Sequence, residues 1–284
     1  MSRAEAAEPA ALLELAVDAA RLGGALLLER FERGDERAIG SKSTPTDLVS
    51  EADLASQRAI RELLARARPQ DAFLGEEQEG DGPAEAPTGD ASRGAATGLR
   101  WVVDPLDGTV NFLFGIPQWS VSVAVQDASA TTIAGAVFDP CRGELFTAAR
   151  GARASLNGRA IESSAREDLA SAMVATGFYY DAGVRVRQAE VLGGLIGRVR
   201  DIRRLGSAAL DLAWTAAGRY DAYFERGTKL WDVAAGALVC ELAGLEVAEL
   251  PASGDGGAGT SPGLPPGILV APAALRSQLM ELVG

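Results

Sequence analysis

The sequence predicts a layered α/β or α+β fold in two halves, residues 1–150 and 151–284, with an approximate boundary. The chain has 284 residues, of which 47% are apolar, enough for one large domain or two closely packed halves. Segments with a helical period of about 3.6 residues alternate with short apolar runs that are typical of strands. The sequence contains no internal repeat.

The first half begins with two predicted helices. Apolar residues at intervals of three and four predict that the first helix ends near Gly34. Its apolar face is expected to comprise Leu12, Leu15, Ala19, Leu22 and Leu26. The second helix is expected to run from Ser50 to the boundary between Arg68 and Pro69. Its inward-facing positions are expected to be Leu54, Ile60, Leu63 and Leu64.

Short apolar runs after these helices predict strands. The first, AFLG, enters a glycine turn, and residues 80–99 then form a segment rich in small residues, Gly and Pro, which predicts a mobile surface loop. We expect the next strand to end at Asp104, because Pro105 follows it. The consecutive strands of this half are WVVD (101–104), VSVAVQ (121–126), TIAGAVFD (132–139) and ELFTAA (144–149).

The second half opens with a turn-rich segment after Gly151. A helix is expected over SAALDLAWTAAG, closed by Gly218, and a strand over YDAYFE. The next helix is expected over WDVAAGALVCELAG, with Asp232 near its start and Gly244 just past its end. Two late strands, LEVAEL and GILVA, flank a loose loop at 251–267.

Charge and hydropathy restrict the partners of the chain. Its net charge of −12 and pI near 4.6 argue against binding to DNA or RNA, which needs clustered Lys and Arg. Acidic residues interrupt the apolar positions of the N-terminus, and no stretch is apolar enough to span a bilayer, so we expect no secretory signal and no membrane contact. Cys141 and Cys240 lack metal-like spacing, which predicts packing roles in a reducing cytoplasm.

The chain has no histidine, which restricts its chemistry. Catalytic triads with histidine, histidine-ligated zinc and the commonest general base are all excluded. Catalysis must therefore use carboxylates, hydroxyls, lysines or metal ions. Carboxylate oxygens are hard ligands that suit Mg²⁺, Mn²⁺ or Ca²⁺.

The segment DPLDGT after the strand WVVD has the pattern of a phosphate site. Asp107, Gly108 and Thr109 predict a turn into a helix whose free N–H groups attract a phosphate. Asp104 and Asp107 would repel that anion unless divalent cations lie between them, so the pattern predicts a metal-bridged phosphate pocket. Acids stand at the ends of other elements too, where ligands often converge: Asp53, Glu76, Glu77 and Asp232.

Three segments resemble the signatures of the inositol monophosphatase family of Mg²⁺-dependent phosphatases, in order along the chain. They are GEE (75–77), DPLDGTVNF (104–112) and WDVAAGALVCELAG (231–244), and weaker likeness extends over 43–53 and 202–225. Leu106, Val110 and the ending LAG depart mildly from the usual motifs without removing a ligand. The resemblance implies an αβαβα sandwich, sensitivity to Li⁺ and a homodimer.

The same resemblance implies a set of metal ligands. Glu76, Asp104 and the backbone carbonyl of Leu106 would hold one Mg²⁺, and Asp104, Asp107 and Asp232 a second, so that Asp104 bridges the pair. A third, weaker ion is expected near Glu76, and Mn²⁺ is a possible substitute. Asp47 matches an acid near the site whose role the resemblance does not define.

Catalytic and substrate roles are implied as well. Thr109 and Asp53 would orient the water that the metal activates, and Glu76 belongs to the same catalytic group. The backbone N–H groups of Gly108 and Thr109 would hold phosphate oxygens. Glu225 would accept hydrogen bonds from hydroxyls of the substrate. The substrate-binding set is Asp107, Gly108, Thr109, Gly206, Ser207, Ala208 and Glu225.

Purely structural roles remain open for several of these residues. Asp53 has the spacing of a capping-box acid behind Ser50, and Asp232 that of an N-cap. Asp104 and Asp107 also suit a turn, and Ser207 suits a helix cap. Glu77 is expected to be a solvated neighbour of Glu76.

These observations predict a Mg²⁺-dependent phosphomonoesterase that hydrolyses inositol 1-phosphate to myo-inositol and phosphate through a metal-activated water. Its partner would be a small phosphorylated polyol. Two alternatives stay open: a related phosphatase acting on histidinol phosphate, fructose 1,6-bisphosphate or a 3′-phosphoadenosine nucleotide, and a non-catalytic regulatory protein that binds a transcription or translation partner.

Overall fold

The computed structural model of the chain describes six ranges of residues: 3–34, 40–41, 48–49, 51–77, 97–254 and 263–284. Asp47, Ser50, most of the predicted loop at 80–99 and the middle of the loop at 251–267 lie outside them. The helices are α1 (Arg3–Arg33), α2 (Glu51–Ala67), α3 (Thr109–Leu113), α4 (Ala182–Leu195), α5 (Ala208–Ala216), α6 (Leu230–Leu242) and α7 (Ala273–Val283).

The strands of the described ranges form two large sheets and one short pair. The pair joins β1 (Gly40–Ser41) to β2 (Leu48–Val49). The first sheet has the order β3-β4-β5-β6-β7-β8-β9, and the second β11-β10-β12-β14-β13. Their bounds are β3 (Ala72–Gly75), β4 (Arg100–Asp107), β5 (Ser120–Gln126), β6 (Thr132–Asp139), β7 (Glu144–Ala149), β8 (Ser155–Leu156), β9 (Arg159–Ala160), β10 (Met173–Thr176), β11 (Asp201–Arg203), β12 (Ala222–Arg226), β13 (Glu246–Leu250) and β14 (Gly267–Ala271).

The elements stack in five layers, which confirms the predicted α+β sandwich. Helices α1 and α2 cover one face of the first sheet, α5 and α6 lie between the two sheets, and α4 and α7 cover the far face of the second. Alternation along the strands separates these cores. On β4, Val102 faces α5 and α6, whereas Trp101 and Val103 face α1 and α2. None of the helices in the described ranges is apolar enough over a sufficient length to cross a membrane.

The predicted inner face of α1 is partly wrong. Leu12 and Ala19 are buried, but Leu22 is exposed. The helix turns Gly23 and Gly24 inward instead, because a side chain at Gly24 would overlap the ring of Phe138 on β6. The rotation of α1 about its axis is therefore set by the close packing of Gly23 and Gly24 against side chains of neighbouring elements. The spacing of apolar residues alone does not predict this rotation.

The predicted end of the strand WVVD is also wrong. Strand β4 continues through Pro105 to Asp107, with an irregularity in its pairing to β5 between Asp104 and Asp107. Proline is tolerated there because the ladder is interrupted and needs no N–H from that residue. The extension places Asp104 and Asp107 on the same strand, and α3 begins two residues after its end.

Candidate active site

The parallel pairing of β3 with β4 brings Glu76 beside Asp104. Gly75 lies opposite Val103, and the Glu76 N–H donates to the Val103 carbonyl at 3.1 Å. The charge of Glu76 raises the pKa of the Asp104 carboxyl, second only to the effect of burial. Glu77, expected to be solvated, is buried instead, because the Gln57 side chain of α2 binds its backbone N–H at 2.9 Å and its carbonyl.

The bend between Asp104 and Asp107 is fixed from several directions. The Leu106 N–H donates to Oδ1 of Asp104 at 3.0 Å, and Ser56 of α2 donates to the Pro105 carbonyl at 3.0 Å. Gly108 follows with φ of 98°, and a Cβ there would lie 2.9 Å from the Gln118 carbonyl oxygen. Only glycine combines this left-handed backbone with so close an approach, so the turn into α3 depends on it.

Thr109 and Asp53 meet although they are 56 residues apart. The Thr109 hydroxyl lies 3.1 Å from Oδ1 of Asp53 and 3.1 Å from the Leu106 carbonyl oxygen. Asp53 is completely buried in the first turn of α2. The threonine hydroxyl therefore has two acceptors within reach for its one hydrogen.

Asp107 is bound to the N-terminus of α5. Its Oδ2 accepts from the Ser207 hydroxyl at 2.6 Å and from the Ala209 N–H at 2.8 Å, and its Oδ1 accepts from the Ala208 N–H at 3.2 Å. Ser207 is also the N-cap of α5, so it fills the capping role and contacts the site. Burial raises the pKa of Asp107 to about 6, although these three hydrogen bonds lower it.

Asp232 enters the site from the first turn of α6. Its Oδ2 accepts from the Lys229 N–H at 2.7 Å, and Lys229 is the N-cap, so the N-cap alternative for Asp232 is wrong. Ser122 of β5 donates to the Trp231 carbonyl at 3.2 Å, which fixes this helix start to the first sheet. The pKa of Asp232 is raised well above its ordinary value. Burial contributes most to this shift, and repulsion from Glu76 and Asp107 contributes next.

Asp104 lies at the centre of this acid cluster, which comprises Glu76, Asp104, Asp107 and Asp232. Burial contributes most to the raised pKa of Asp104, and repulsion from the other three carboxylates raises it further. Asp104 and Asp107 are buried, and Glu76 and Asp232 are half-buried. Carboxylate oxygens suit hard divalent cations, which would relieve the repulsion. Among the described residues, no three acidic, His or Cys side chains are grouped so that together they could hold one metal ion. Asp107 is hydrogen-bonded to the start of α5, and Asp232 to the Lys229 N–H.

The residues that the sequence predicts to bind the substrate alcohol lie where α5 begins and near the end of β12. Gly206, with φ of 89°, and Ser207 and Ala208 adjoin Asp107. Glu225 keeps part of its surface exposed, and burial of its carboxyl raises the pKa to about 7, against hydrogen bonding from Tyr223 and attraction to Arg204, which lower it.

Sequence reasoning missed two polar residues at this pocket. Asn111 of α3 donates to the carbonyls of Gln118 and Leu205, each at 2.7 Å, and so joins the segment after the Gly108 turn to the chain before α5. Tyr223 contacts Glu225 on β12. The alternation of YDAYFE, in which Tyr223 and Glu225 share one face, was the available signal for the second.

A family model supplies the identification. The model described as the inositol monophosphatase family matches residues 8–280. The chain belongs to the inositol monophosphatase family. Among similar proteins, the inositol-1-monophosphatase SuhB of Mycobacterium tuberculosis is 44% identical over 214 residues, covering 74% of this chain and 71% of that protein.

Two further family members extend this likeness. The Nus factor SuhB of Pasteurella multocida is 40% identical over 234 residues, covering 82% of this chain and 83% of that protein. The crystal structure of the extragenic suppressor protein suhB from Bartonella henselae superposes with a TM-score of 0.81 at 34% identity, over 96% of this chain and 98% of that one. Relatives of the inositol monophosphatase family thus bear names of two kinds, an enzyme and a Nus factor.

Proposed function

We propose that this phosphatase hydrolyses inositol 1-phosphate to myo-inositol and phosphate with Mg²⁺ at the acid cluster. The observation that carries the proposal is the surroundings of Asp104, a buried carboxylate whose neighbours Glu76, Asp107 and Asp232 all repel its charge. Like charges buried side by side destabilise a fold, and such arrangements are typical of sites that bind a cation. The family is generally Mg²⁺-dependent, and the donors here are all oxygens.

In this proposal Glu76, Asp104 and the Leu106 carbonyl hold one Mg²⁺, and Asp104, Asp107 and Asp232 hold a second. A third ion near Glu76 and substitution by Mn²⁺ belong to the same proposal. Bound ions supply Lewis-acid activation of a water and neutralise charge on the leaving oxygen. Because the Thr109 hydroxyl donates to Asp53, its oxygen would accept a hydrogen bond from the attacking water and so orient that water.

The remaining residues hold the ester. The N–H groups of Gly108 and Thr109 are proposed to bind the phosphate oxygens at the turn into α3. Gly206, Ser207 and Ala208 line the alcohol side, where Glu225 accepts a hydrogen bond from a substrate hydroxyl. Lithium sensitivity, a homodimer and a cytoplasmic location complete the proposal on the basis of the family.

Phosphate release from a panel of esters tests this function. The panel comprises inositol 1-phosphate, histidinol phosphate, fructose 1,6-bisphosphate and 3′-phosphoadenosine 5′-phosphate, each with Mg²⁺ and with EDTA. The expected result is the highest kcat/KM for inositol 1-phosphate and no turnover in EDTA. A different leading ester would refute the substrate and keep the metal mechanism, whereas turnover that survives EDTA would refute the mechanism.

A second candidate function is regulatory. Three relatives that are 39–40% identical are named Nus factor SuhB. If this chain acts as a Nus factor, the tagged protein should retain a stoichiometric macromolecular partner on purification. Absence of phosphatase activity together with such a partner would favour this candidate over the enzyme.

A further inference from the structure

The carboxylate of Glu225 is held by the residue two positions before it. Tyr223 and Glu225 share one face of β12, and the Tyr223 hydroxyl donates to Oε2 of Glu225 at 2.9 Å. The Tyr223 ring is completely buried in the core between the two sheets. A rigid, fully packed ring therefore sets the position of this hydroxyl, and through it one oxygen of Glu225.

A glycine on the neighbouring strand also bounds the carboxylate. Strands β10 and β12 pair in parallel, with Thr176 opposite Phe224, so Gly177 lies directly beside Glu225. A Cβ added to Gly177 would overlap the carboxyl group, and its three nearest atoms all belong to the Glu225 side chain. The absence of a side chain at Gly177 is what makes room for the carboxylate.

Five charged or titratable groups face Glu225 from the surrounding elements, and one of them is Asp232 of α6, whose pKa Glu225 helps to raise. Tyr223 on β12 and Arg204 before α5 favour its ionised form, and Asp107 on β4 opposes it. Asp211 of α5 is buried nearby, and neither of its oxygens has a hydrogen-bond partner among the described residues. The hydroxyl of Tyr223 is the one donor to Glu225 that the described contacts contain.

We propose that Tyr223 is a specificity-determining positioning residue, which holds one Glu225 oxygen so that the other accepts a hydroxyl of a polyol phosphate. Gly177 contributes to the same positioning, because the absence of a side chain there leaves the space that the Glu225 carboxylate occupies. The inference rests on the proposed function. Its consequence is a preference for phosphate esters of polyols over aryl phosphates, which offer no neighbouring hydroxyl.

Tyr223→Phe tests the proposal, with Tyr220→Phe as the matched control. Tyr220 is also buried beside β12, but its hydroxyl has no partner among the described residues. With Mg²⁺ present, Tyr223→Phe is expected to raise KM for inositol 1-phosphate about tenfold, the usual worth of one hydrogen bond to a charged group. The kcat value and the KM for p-nitrophenyl phosphate should stay at the wild-type level, and Tyr220→Phe should leave all of these unchanged.

A second readout does not require turnover. Loss of the Tyr223 hydrogen bond removes a contribution that lowers the pKa of Glu225, so its ionisation should move above pH 7. The carboxyl ¹³C resonance of Glu225, titrated in the intact metal-free protein, is expected to show this shift in Tyr223→Phe and not in Tyr220→Phe. Because the ionised form is the acceptor, the pH at which KM for inositol 1-phosphate falls should rise by the same amount.

Gly177→Ala gives an independent test. The added methyl group should displace the flexible end of Glu225 and raise KM for inositol 1-phosphate more than Tyr223→Phe does. Circular dichroism and the Tm establish that the variant is folded.

The outcomes separate the two proposals. If the wild-type protein hydrolyses inositol 1-phosphate but Tyr223→Phe matches Tyr220→Phe in KM and in the ¹³C titration, the role of Tyr223 is overturned and the function stands. If the wild-type protein hydrolyses p-nitrophenyl phosphate and no polyol ester, the proposed substrate fails, and the specificity inference fails with it.

Discussion

The two ends of the β3–β4 pair carry acids in opposite settings. At the N-terminal end, Asp71 accepts hydrogen bonds from Arg68 at 2.9 Å, Thr97 at 2.6 Å and Trp101 at 3.0 Å. Burial alone would raise the pKa of Asp71, but these donors outweigh it and the pKa is lowered. At the C-terminal end, Asp104 has acids as its charged neighbours and its pKa is raised.

The contrast separates structural from functional carboxylates. The same two strands place both sets, so sheet geometry does not decide which acid is neutralised. The neighbouring groups decide it. Asp71 is surrounded by a guanidinium, a hydroxyl and an indole N–H, whereas Asp104 is surrounded by Glu76, Asp107 and Asp232. The charge of Asp71 is compensated within the protein, whereas in the proposed function the acids at the second end are compensated by cations from solution.

The largest expected effect comes from Asp104→Asn. The substitution should lower kcat/KM with Mg²⁺ by several orders of magnitude, because both proposed ion sites include this residue. Without Mg²⁺, removal of the repelled charge should keep or raise the Tm. Near-normal turnover in this variant would contradict the assignment of Asp104, and Asp71→Asn, with its activity retained, is the control at the other end.

Thr109→Ala should have the next largest effect. The variant loses the hydroxyl that links the turn to Asp53, so we expect kcat to fall by about 10²-fold with little change in KM. Thr109→Ser, which retains the hydroxyl, should recover most of the rate. Equal kcat values for the alanine variant and the wild type would mean that another group positions the water.

Mg²⁺ should stabilise the wild-type fold through the C-terminal end of the pair. At a concentration about 100 times Kd, binding to the native state adds about 2.7 kcal/mol to the free energy of unfolding. Chemical denaturation with Mg²⁺ and with EDTA measures the difference. The gain should persist in Asp71→Asn and vanish in Asp104→Asn; a gain retained in Asp104→Asn would indicate that the ions bind elsewhere.

The smallest effect is expected at the N-terminal end. Asp71→Asn should lower the free energy of unfolding at pH 7 by about 1–3 kcal/mol, since the ion pair and charge-assisted hydrogen bonds are lost. A lowered pKa in the folded state stabilises above the ordinary value of 3.8, and this contribution disappears as the pH falls through the folded value. The difference between variant and wild type should therefore shrink in acid; a constant difference would contradict this.

The helices and strands with strong local patterns could be predicted from the sequence, and the others could not. Helix α6 occupies its predicted place, with Gly244 at φ of 96° just past its end. Helix α4 was missed because its buried residues, Val184, Gln188 and Leu195, do not form an apolar stripe. Strand β10 was missed because it is four residues long and lies between two parallel neighbours, so it lacks clear alternation.

The features of the candidate site likewise divide into those that local sequence spacing predicts and those that only the tertiary structure shows. Local spacing predicts the turn at Gly108 and the acids of DPLDGT, because one strand end carries them. The bond between Asp107 and Ser207 joins residues 100 positions apart, and only the tertiary fold produces it. The family resemblance named Ser207 without this contact, and the hydrogen bond from Tyr223 to Glu225 required the structure.

Anomalous diffraction from crystals grown with Mn²⁺ tests the central claim most directly. The prediction is two peaks at the C-terminal end of the β3–β4 pair, both in contact with Asp104, one shared with Glu76 and the other with Asp107 and Asp232. Peaks elsewhere, or none at this end in a protein whose turnover requires Mn²⁺ or Mg²⁺, would contradict the claim.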